Sequence, residues 1–234
     1  VHFDWTIAER ETMVYGQHRA YMREGILFFH NSSSNTGDAG SEHRVPSADV
    51  PSVLVADGFH RSVPTITGML PGPTIEVEEG DTVVVHMKNS LANAATTIHW
   101  HGMYMRGTPW MDGVSQVTQC AVLPGESFTY RFVADPAGTH FYHAHHGVQR
   151  PDGLNGALIV RPKKPAPVRA AASASGAACA GGEWVLHLAV WQHADSQSLY
   201  TQRNGAGWYP AGPEAAPWKW TRDVSGKLVG EIPM

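Results

Sequence analysis

The fold of this chain is decided by the stretch 74–88, which reads TIEVEEGDTVVVHMK. In its first half apolar Ile75 and Val77 alternate with glutamates, and its second half is rich in valine. A period of two places successive side chains on opposite faces of a β-strand. Because Glu79-Gly80 separates the two halves, the pattern predicts two strands joined as a hairpin.

The same period of two recurs along the chain. Residues 1–7 alternate apolar and polar side chains, and so do residues 128–132. Asp57-Gly58 separates 52–56 from 59–63, which predicts a further hairpin. No amphipathic helix longer than a few turns is evident. Many short strands with frequent turns predict an all-β protein built as a β-sandwich.

The composition excludes several classes of protein. Hydrophobic residues make up 42% of the 234 residues and charged residues 16%, which is the balance of a globular protein. The formal net charge of -4 offers no basic surface for nucleic acid or an anionic membrane. No apolar run approaches the roughly 18 residues that a membrane-spanning helix requires. Two cysteines are too few for a cysteine-rich zinc module or a dense disulfide scaffold.

Changes of composition divide the chain into three segments. Residues 163–182 are rich in Pro, Ala, Ser and Gly, which predicts a linker or a long loop. Residues 183–192 are apolar on both alternating faces, which predicts a strand buried on both sides. The roughly 50 residues of 183–234 are few for an independent sandwich. We therefore expect a first domain over 1–162 and a partial second domain over 183–234.

Histidine is the unusual residue, with 14 copies. Two His-X-His pairs stand out, His99 with His101 and His143 with His145. About one such pair is expected by chance, so the pairs alone establish no site. On a strand the two imidazoles of a pair point the same way, and two neighbouring pairs would suit copper or zinc. The alternative is that both pairs are solvated strand histidines.

Six motifs keep their order and spacing between about residues 64 and 162. They are Leu70-Pro71-Gly72-Pro73-Thr74-Ile75, His99-Trp100-His101-Gly102, Trp110-Met111-Asp112-Gly113, Thr118-Gln119-Cys120, Pro124-Gly125-Glu126, and Gly138 to His145 followed by Gln149 and Asp152-Gly153-Leu154. This series resembles the multicopper oxidases, and most closely their laccase and ascorbate oxidase branch. The resemblance implies a cupredoxin-like Greek-key β-sandwich over 1–162, followed by part of a second cupredoxin-like domain.

The resemblance also implies roles for individual residues. By the family's pattern His99 binds a type 2 copper, and His101, His143 and His145 bind a type 3 copper pair. These four would be half of the ligands of a trinuclear cluster that reduces dioxygen to water. Asp112 matches an acidic residue near the type 2 copper, where it would orient water or relay protons. An Asp-Gly pair is also typical of a turn, and the two roles are compatible.

Other histidines are expected to bind no metal. His146 is one residue out of phase with its neighbouring pair, so on a strand it faces away. We treat His140 in the same way, and His86 as an ordinary sheet residue. His187 and His193 fall in no ligand motif.

Two motifs of the family are absent from these 234 residues, a His-Pro-X-His-X-His stretch and the His-Cys-His stretch that carries the type 1 copper. The resemblance therefore implies the N-terminal part of an oxidase that couples oxidation of a phenol, ascorbate or a similar reductant to reduction of dioxygen. C-terminal domains or a companion chain would complete the copper cluster. A two-chain oxidase, a ferroxidase and a non-catalytic copper-binding or structural module remain open.

Smaller features bear on where the protein resides. The chain opens at Val1 without Met, which suits either a processed secreted protein or a fragment, and Asn31-Ser32-Ser33 is a glycosylation sequon, which suits a secreted protein. Cys120 stands where relatives pair with a cysteine near the end of a third domain. A bond between Cys120 and Cys179 is the alternative. We expect a secreted glycoprotein with a disulfide bond.

Overall fold

The computed structural model of the chain describes residues 1–30, 41–163, 183–205, 219–222 and 228–231. Strands predominate in this part of the chain, and the predicted all-β class is confirmed. The strands are β1 (His2–Glu11), β2 (Val14–Tyr15), β3 (His18–Arg23), β4 (Ile26–His30), β5 (Glu42–Arg44), β6 (Ser62–Ile66), β7 (Ile75–Glu78), β8 (Thr82–Asn89), β9 (Ile98–His101), β10 (Ser127–Val133), β11 (Gly138–Ala144), β12 (Asn155–Arg161), β13 (Lys219–Arg222) and β14 (Leu228–Glu231). The described residues also form one α-helix, α1 (Ser196–Gly205), and short 3₁₀ helices at Val50–Ser52, Pro109–Met111 and Arg150–Asp152.

Two four-stranded sheets form a sandwich from strands between His2 and Arg161. Their strand orders are β10-β8-β1-β6 and β7-β12-β11-β9. In β8, Val83, Val85 and Met87 are fully buried, whereas His86 and Lys88 are exposed; β12 is buried on both faces. The buried residues of both sheets form one hydrophobic cluster, as in a sandwich.

The strands predicted around Glu79-Gly80 are present, but the prediction that they form a hairpin is wrong. β7 pairs with β12, and β8 pairs with β1 and β10. The turn, with Gly80 at a φ of 84°, therefore carries the chain from one sheet to the other. The hairpin at Asp57-Gly58 is also wrong, because β6 begins at Ser62 and pairs with β1. A period of two identifies a half-buried strand, but it does not identify the partner of that strand.

Buried aromatic side chains decide which way the histidines point. Trp100 in β9 and Tyr142 in β11 are fully buried, with ring centroids 5.8 Å apart. Burying a large apolar side chain stabilises a fold by about 1.5–3 kcal/mol. Because neighbours on a strand face opposite sides, this burial turns His99, His101 and His143 to the other face of the sheet.

A smaller sheet, ordered β2-β3-β4-β5, is formed by the chain between β1 and β6. It has a hydrophobic cluster of its own, made of Met13, Ala20, Leu27, Val45 and Val53. The segment 31–40, with the sequon at Asn31, lies outside the described residues.

The residues after 182 do not form the predicted strand. Residues 183–192 have no regular secondary structure, and Leu186, Leu188 and Val190 are 80%, 82% and 79% exposed. The prediction of a strand buried on both faces is therefore wrong for this chain. A strand buries its two faces only where other elements cover them. Most of the predicted linker, residues 164–182 with Cys179, lies outside the described residues.

The chain divides into two compact units, Val1–Ser196 and Gln197–Met234. Within the second unit β13 pairs antiparallel with β14. Among the helices of the described residues, none is long and apolar enough to cross a membrane.

Candidate metal centre

The four predicted ligand histidines lie on two neighbouring strands. β9 and β11 are antiparallel, with His143 opposite His99 and Phe141 opposite His101. Residues directly opposite each other share a face of the sheet, and His145 follows at the end of β11. The ring centroid of His99 lies 5.5, 5.3 and 5.3 Å from the rings of His101, His143 and His145. The structure thus brings the four side chains together on the face away from the core.

Three of the four direct a ring nitrogen into one small space. One nitrogen from each of His99, His101 and His143 lies within 4.8 Å of the other two. Nε2 of His143 and Nδ1 of His101 are 3.4 Å apart. Two nitrogens bound tetrahedrally to one ion at roughly 2.0–2.1 Å would be about 3.3–3.4 Å apart. This pair therefore has the spacing of two ligands of one ion, while exposed His145 stands outside the group of three.

The turn after the first pair fixes the orientation of His99. Nδ1 of His99 donates a hydrogen bond to the backbone carbonyl of Asp112 at 2.7 Å, and a carboxylate oxygen of Asp112 lies 3.3 Å from the same nitrogen. With Nδ1 engaged in this contact, Nε2 is the nitrogen of His99 available to a metal ion. The next residue, Gly113, has a φ of 80°, and a Cβ there would lie 1.7 Å from the carbonyl oxygen of Ile98. Only glycine lets the turn approach β9 so closely.

Burial and a hydrogen bond set the state of His143. The residue is 3% exposed, and its Nδ1 donates to the carbonyl of Ala144 at 2.9 Å. Burial lowers the pKa of His143 to about 4, because removal of water disfavours the imidazolium form. The pKa of His101 is also lowered, by burial first and then by the neighbouring His99. Both imidazoles are therefore neutral near pH 7, which is the form that binds metal ions.

The adjacent histidines have other partners. Nε2 of His140 lies 3.0 Å from the carbonyl oxygen of Pro136. Nδ1 of His146 lies 2.9 Å from the hydroxyl of Ser115. Neither imidazole belongs to the group of three nitrogens described above.

Sequence analysis does not identify an aromatic neighbour of the cluster. The ring of Phe141 stacks on His101 and His143, at centroid distances of 4.6 and 4.9 Å. The guanidinium carbon of Arg150 lies 5.6 Å from the Phe141 centroid. The only signal in the sequence is that Phe141 stands two residues before His143, and so on the same face of the strand.

A buried ion pair next to this region is also not predicted. Arg61 donates to the carboxylate of Asp152 at 2.8 Å, and both residues are buried. The same carboxylate accepts hydrogen bonds of 3.1 Å from the backbone and the hydroxyl of Ser196. Asp152 thus ties the short helix Arg150–Asp152, which begins five residues after the second histidine pair, to two distant parts of the chain.

Residues 50–165 match the family model described as multicopper oxidase. The chain belongs to the multicopper oxidase family. An L-ascorbate oxidase of Brassica rapa subsp. pekinensis is 48% identical over 135 residues, which cover 57% of this chain and 22% of the relative. An L-ascorbate oxidase of Cucumis sativus is 58% identical over 97 residues, 42% of this chain and 16% of the relative. An iron transport multicopper oxidase of Gibberella zeae is 41% identical over 161 residues, 69% of this chain and 24% of the relative. The chain thus spans roughly a fifth of the length of these multicopper oxidases.

Solved multicopper oxidases share the fold. The multicopper oxidase mgLAC has a TM-score of 0.51 and 33% identity, covering 72% of this chain and 41% of its own. Fet3p, described as a multicopper oxidase that functions in iron import, has a TM-score of 0.50 and 28% identity. The match covers 70% of this chain and 23% of Fet3p. These likenesses confirm the cupredoxin-like sandwich that the motifs imply. Family membership implies copper as the metal, and neutral imidazoles are donors that copper accepts.

Proposed function

We propose that this chain is the N-terminal part of a multicopper oxidase, and that His99, His101, His143 and His145 supply half of the ligands of its trinuclear copper cluster. The observation that carries the proposal is the convergence of three imidazole nitrogens within 4.8 Å on one face of a sheet. In this assignment His99 binds the type 2 copper and the other three bind the type 3 pair. His101 and His143 share one ion, because their facing nitrogens are 3.4 Å apart.

Copper held by these residues would supply the one-electron steps by which dioxygen is reduced to water. The groups of the chain itself supply binding, orientation and proton transfer. The carbonyl of Asp112 holds His99 by its Nδ1, while the carboxylate, 25% exposed, reaches both that nitrogen and solvent. We infer that the Asp112 carboxylate relays protons or orients water beside the cluster.

The remaining ligands and the entry point for electrons are proposed to come from further polypeptide. Neither cysteine of the chain lies in a His-Cys-His sequence, so a type 1 copper site would lie elsewhere. C-terminal domains of a longer chain are our first candidate, and a companion chain in a two-chain oxidase is the second. A non-catalytic copper-binding module would have no such partner.

The names of the relatives suggest two classes of reductant. Ascorbate is favoured by the ascorbate oxidases, which are 48% and 58% identical over the matched residues. Iron(II) is the second candidate, because three similar proteins are named for iron transport or import. Phenols, the substrates implied by the resemblance to laccases, are the third. The reductant would bind near the type 1 copper, outside this chain.

We further propose that 183–234 begins a second cupredoxin-like domain, after a linker at 163–182. Leu186, Leu188 and Val190 stand at every second position and all three are exposed, so further polypeptide could cover them. The protein is proposed to be secreted. Cys120 is exposed and forms no disulfide bond within the described residues, so a cysteine of a further domain could pair with it.

The proposal is tested by replacing a ligand in the complete enzyme. His101→Ala should abolish dioxygen consumption while the substrate still reduces the type 1 copper, because reduction there does not use His101. The two steps are measured by an oxygen electrode and by anaerobic bleaching of the blue absorption band. His86→Ala, an exposed strand histidine, is the matched control. If folded His101→Ala enzyme still reduced dioxygen at the normal rate, the ligand assignment would be wrong.

A further inference from the structure

Phe141 completes the row of side chains that carries the histidines. It lies opposite His101 in the ladder between β9 and β11 and two residues before His143. Its ring stacks on both imidazoles at a moderate tilt, with interplanar angles of 27° to His101 and 28° to His143. One phenyl ring therefore packs against the two imidazoles whose facing nitrogens are 3.4 Å apart.

His101 depends on such packing more than its neighbours do. His99 and His143 each donate their Nδ1 proton to a main-chain carbonyl, that of Asp112 and that of Ala144. Among the described residues, the hydrogen-bond contact of His101 is with His143 alone, through the two proposed ligand atoms. The χ2 torsion of histidine is broad and roughly two-fold, so the rotamer alone leaves the ring orientation open.

The ring of Phe141 also contacts a charged side chain on a neighbouring segment. The guanidinium group of Arg150 lies 5.6 Å from the ring centroid, within the range of a cation–π contact. Arg150 begins the short helix that ends at Asp152, whose carboxylate is held by buried Arg61 and by Ser196. The phenyl ring thus lies between the two imidazoles and a segment anchored by a buried ion pair.

We propose that Phe141 is a positioning residue that holds His101, and with it the pair His101 and His143, in the orientation in which both can bind one ion. The inference rests on the proposed function for its metal, but the ordering of His101 by Phe141 is a property of the metal-free protein. Phe141 touches no reacting group in this account. It acts on His101 by packing in place of the hydrogen bond that usually orients a ligand histidine, whereas His143 keeps its own bond to the carbonyl of Ala144.

The test compares Phe141→Leu with Phe141→Tyr, which keeps the ring, and with Phe128→Leu. Phe128 is a partly buried aromatic residue on β10, in the other sheet, and so controls for loss of a ring. The ring ¹⁵N and ¹H signals of the histidines are recorded by NMR in the metal-free 234-residue chain, and copper(I) affinity is then measured by competition. Phe141→Leu should broaden or split the His101 signals, leave those of His99 unchanged, and weaken copper binding on the order of tenfold. The other two variants should behave as the wild type does.

Two results would overturn the inference: unchanged His101 signals in folded Phe141→Leu, or equal broadening in Phe128→Leu. A wild-type chain that binds no copper would instead contradict the proposed function. In that case the NMR comparison still decides the role of Phe141.

Discussion

Histidines lie on the outer faces of both sheets of the sandwich, but their burial and their hydrogen-bond partners differ between the two sheets. On the first sheet His2 and His86 stack on neighbouring strands with centroids 6.3 Å apart, and both are exposed. On the second sheet His99 and His143 are 5.3 Å apart, and His143 is buried. The spacing of the rings is similar, but the surroundings are not.

From this difference we infer that imidazole nitrogens converge on one point only where fixed partners hold the histidine rings in place. His86 contacts the hydroxyl of Thr129, a side chain that can itself rotate. His99 and His143 each contact a main-chain carbonyl, which is fixed by the sheet and by the adjoining turn. Rings ordered in advance lose less entropy when a metal binds.

The largest effect is expected from Gly113→Ala. A Cβ at this position would lie 1.7 Å from the carbonyl oxygen of Ile98, so the turn must move away from β9 and Asp112 must release His99. We expect a loss of about 3 kcal/mol in the free energy of unfolding, measured with urea. Gly107→Ala is the control, because Gly107 has a similar φ of 76° but no neighbour within 4 Å. It should cost about 1 kcal/mol. Equal losses in the two variants would show that the close approach of the turn is unimportant.

A smaller effect is expected from Asp112→Ala. The main-chain carbonyl at 2.7 Å remains in the variant, and only the carboxylate oxygen at 3.3 Å is removed. Copper affinity of the chain should therefore fall by at most about tenfold, at the low end of what outer partners of ligand histidines contribute. Asp4→Ala, an exposed aspartate on the first sheet, should leave the affinity unchanged. A hundredfold loss in Asp112→Ala would mean that the carboxylate is the main support of His99.

In this molecule the sequence predicts the positions of strands and their buried faces better than it predicts which strands pair with each other. β1, β7, β8 and β10 lie where a period of two places them. Both predicted hairpins fail, because alternation reports which face is buried and says nothing about which strand lies alongside. The segment 183–192 fails for a related reason: its apolar pattern requires covering surfaces, which the described residues do not provide.

The same limit applies to the candidate site. The spacing of His99 with His101, and of His143 with His145, predicts a shared face, and the structure has them on one. The side chains that pack beside the histidines on that face cannot be recognised in the sequence, because Phe141 and Arg150 are not metal-binding residue types. Their contribution depends on distances set by the strand pairing and by the short helix that ends at Asp152.

The most direct measurement is a copper titration of the 234-residue chain and of two histidine variants, with the free energy of unfolding measured in parallel. His143→Ala removes a buried proposed ligand of the second sheet, and His86→Ala removes an exposed histidine of the first. We expect the wild type and His86→Ala to bind copper equally, and His143→Ala to bind it at least about tenfold more weakly. Equal binding by folded His143→Ala, or an equal loss in His86→Ala, would contradict the claim that the β9 and β11 histidines form the metal centre.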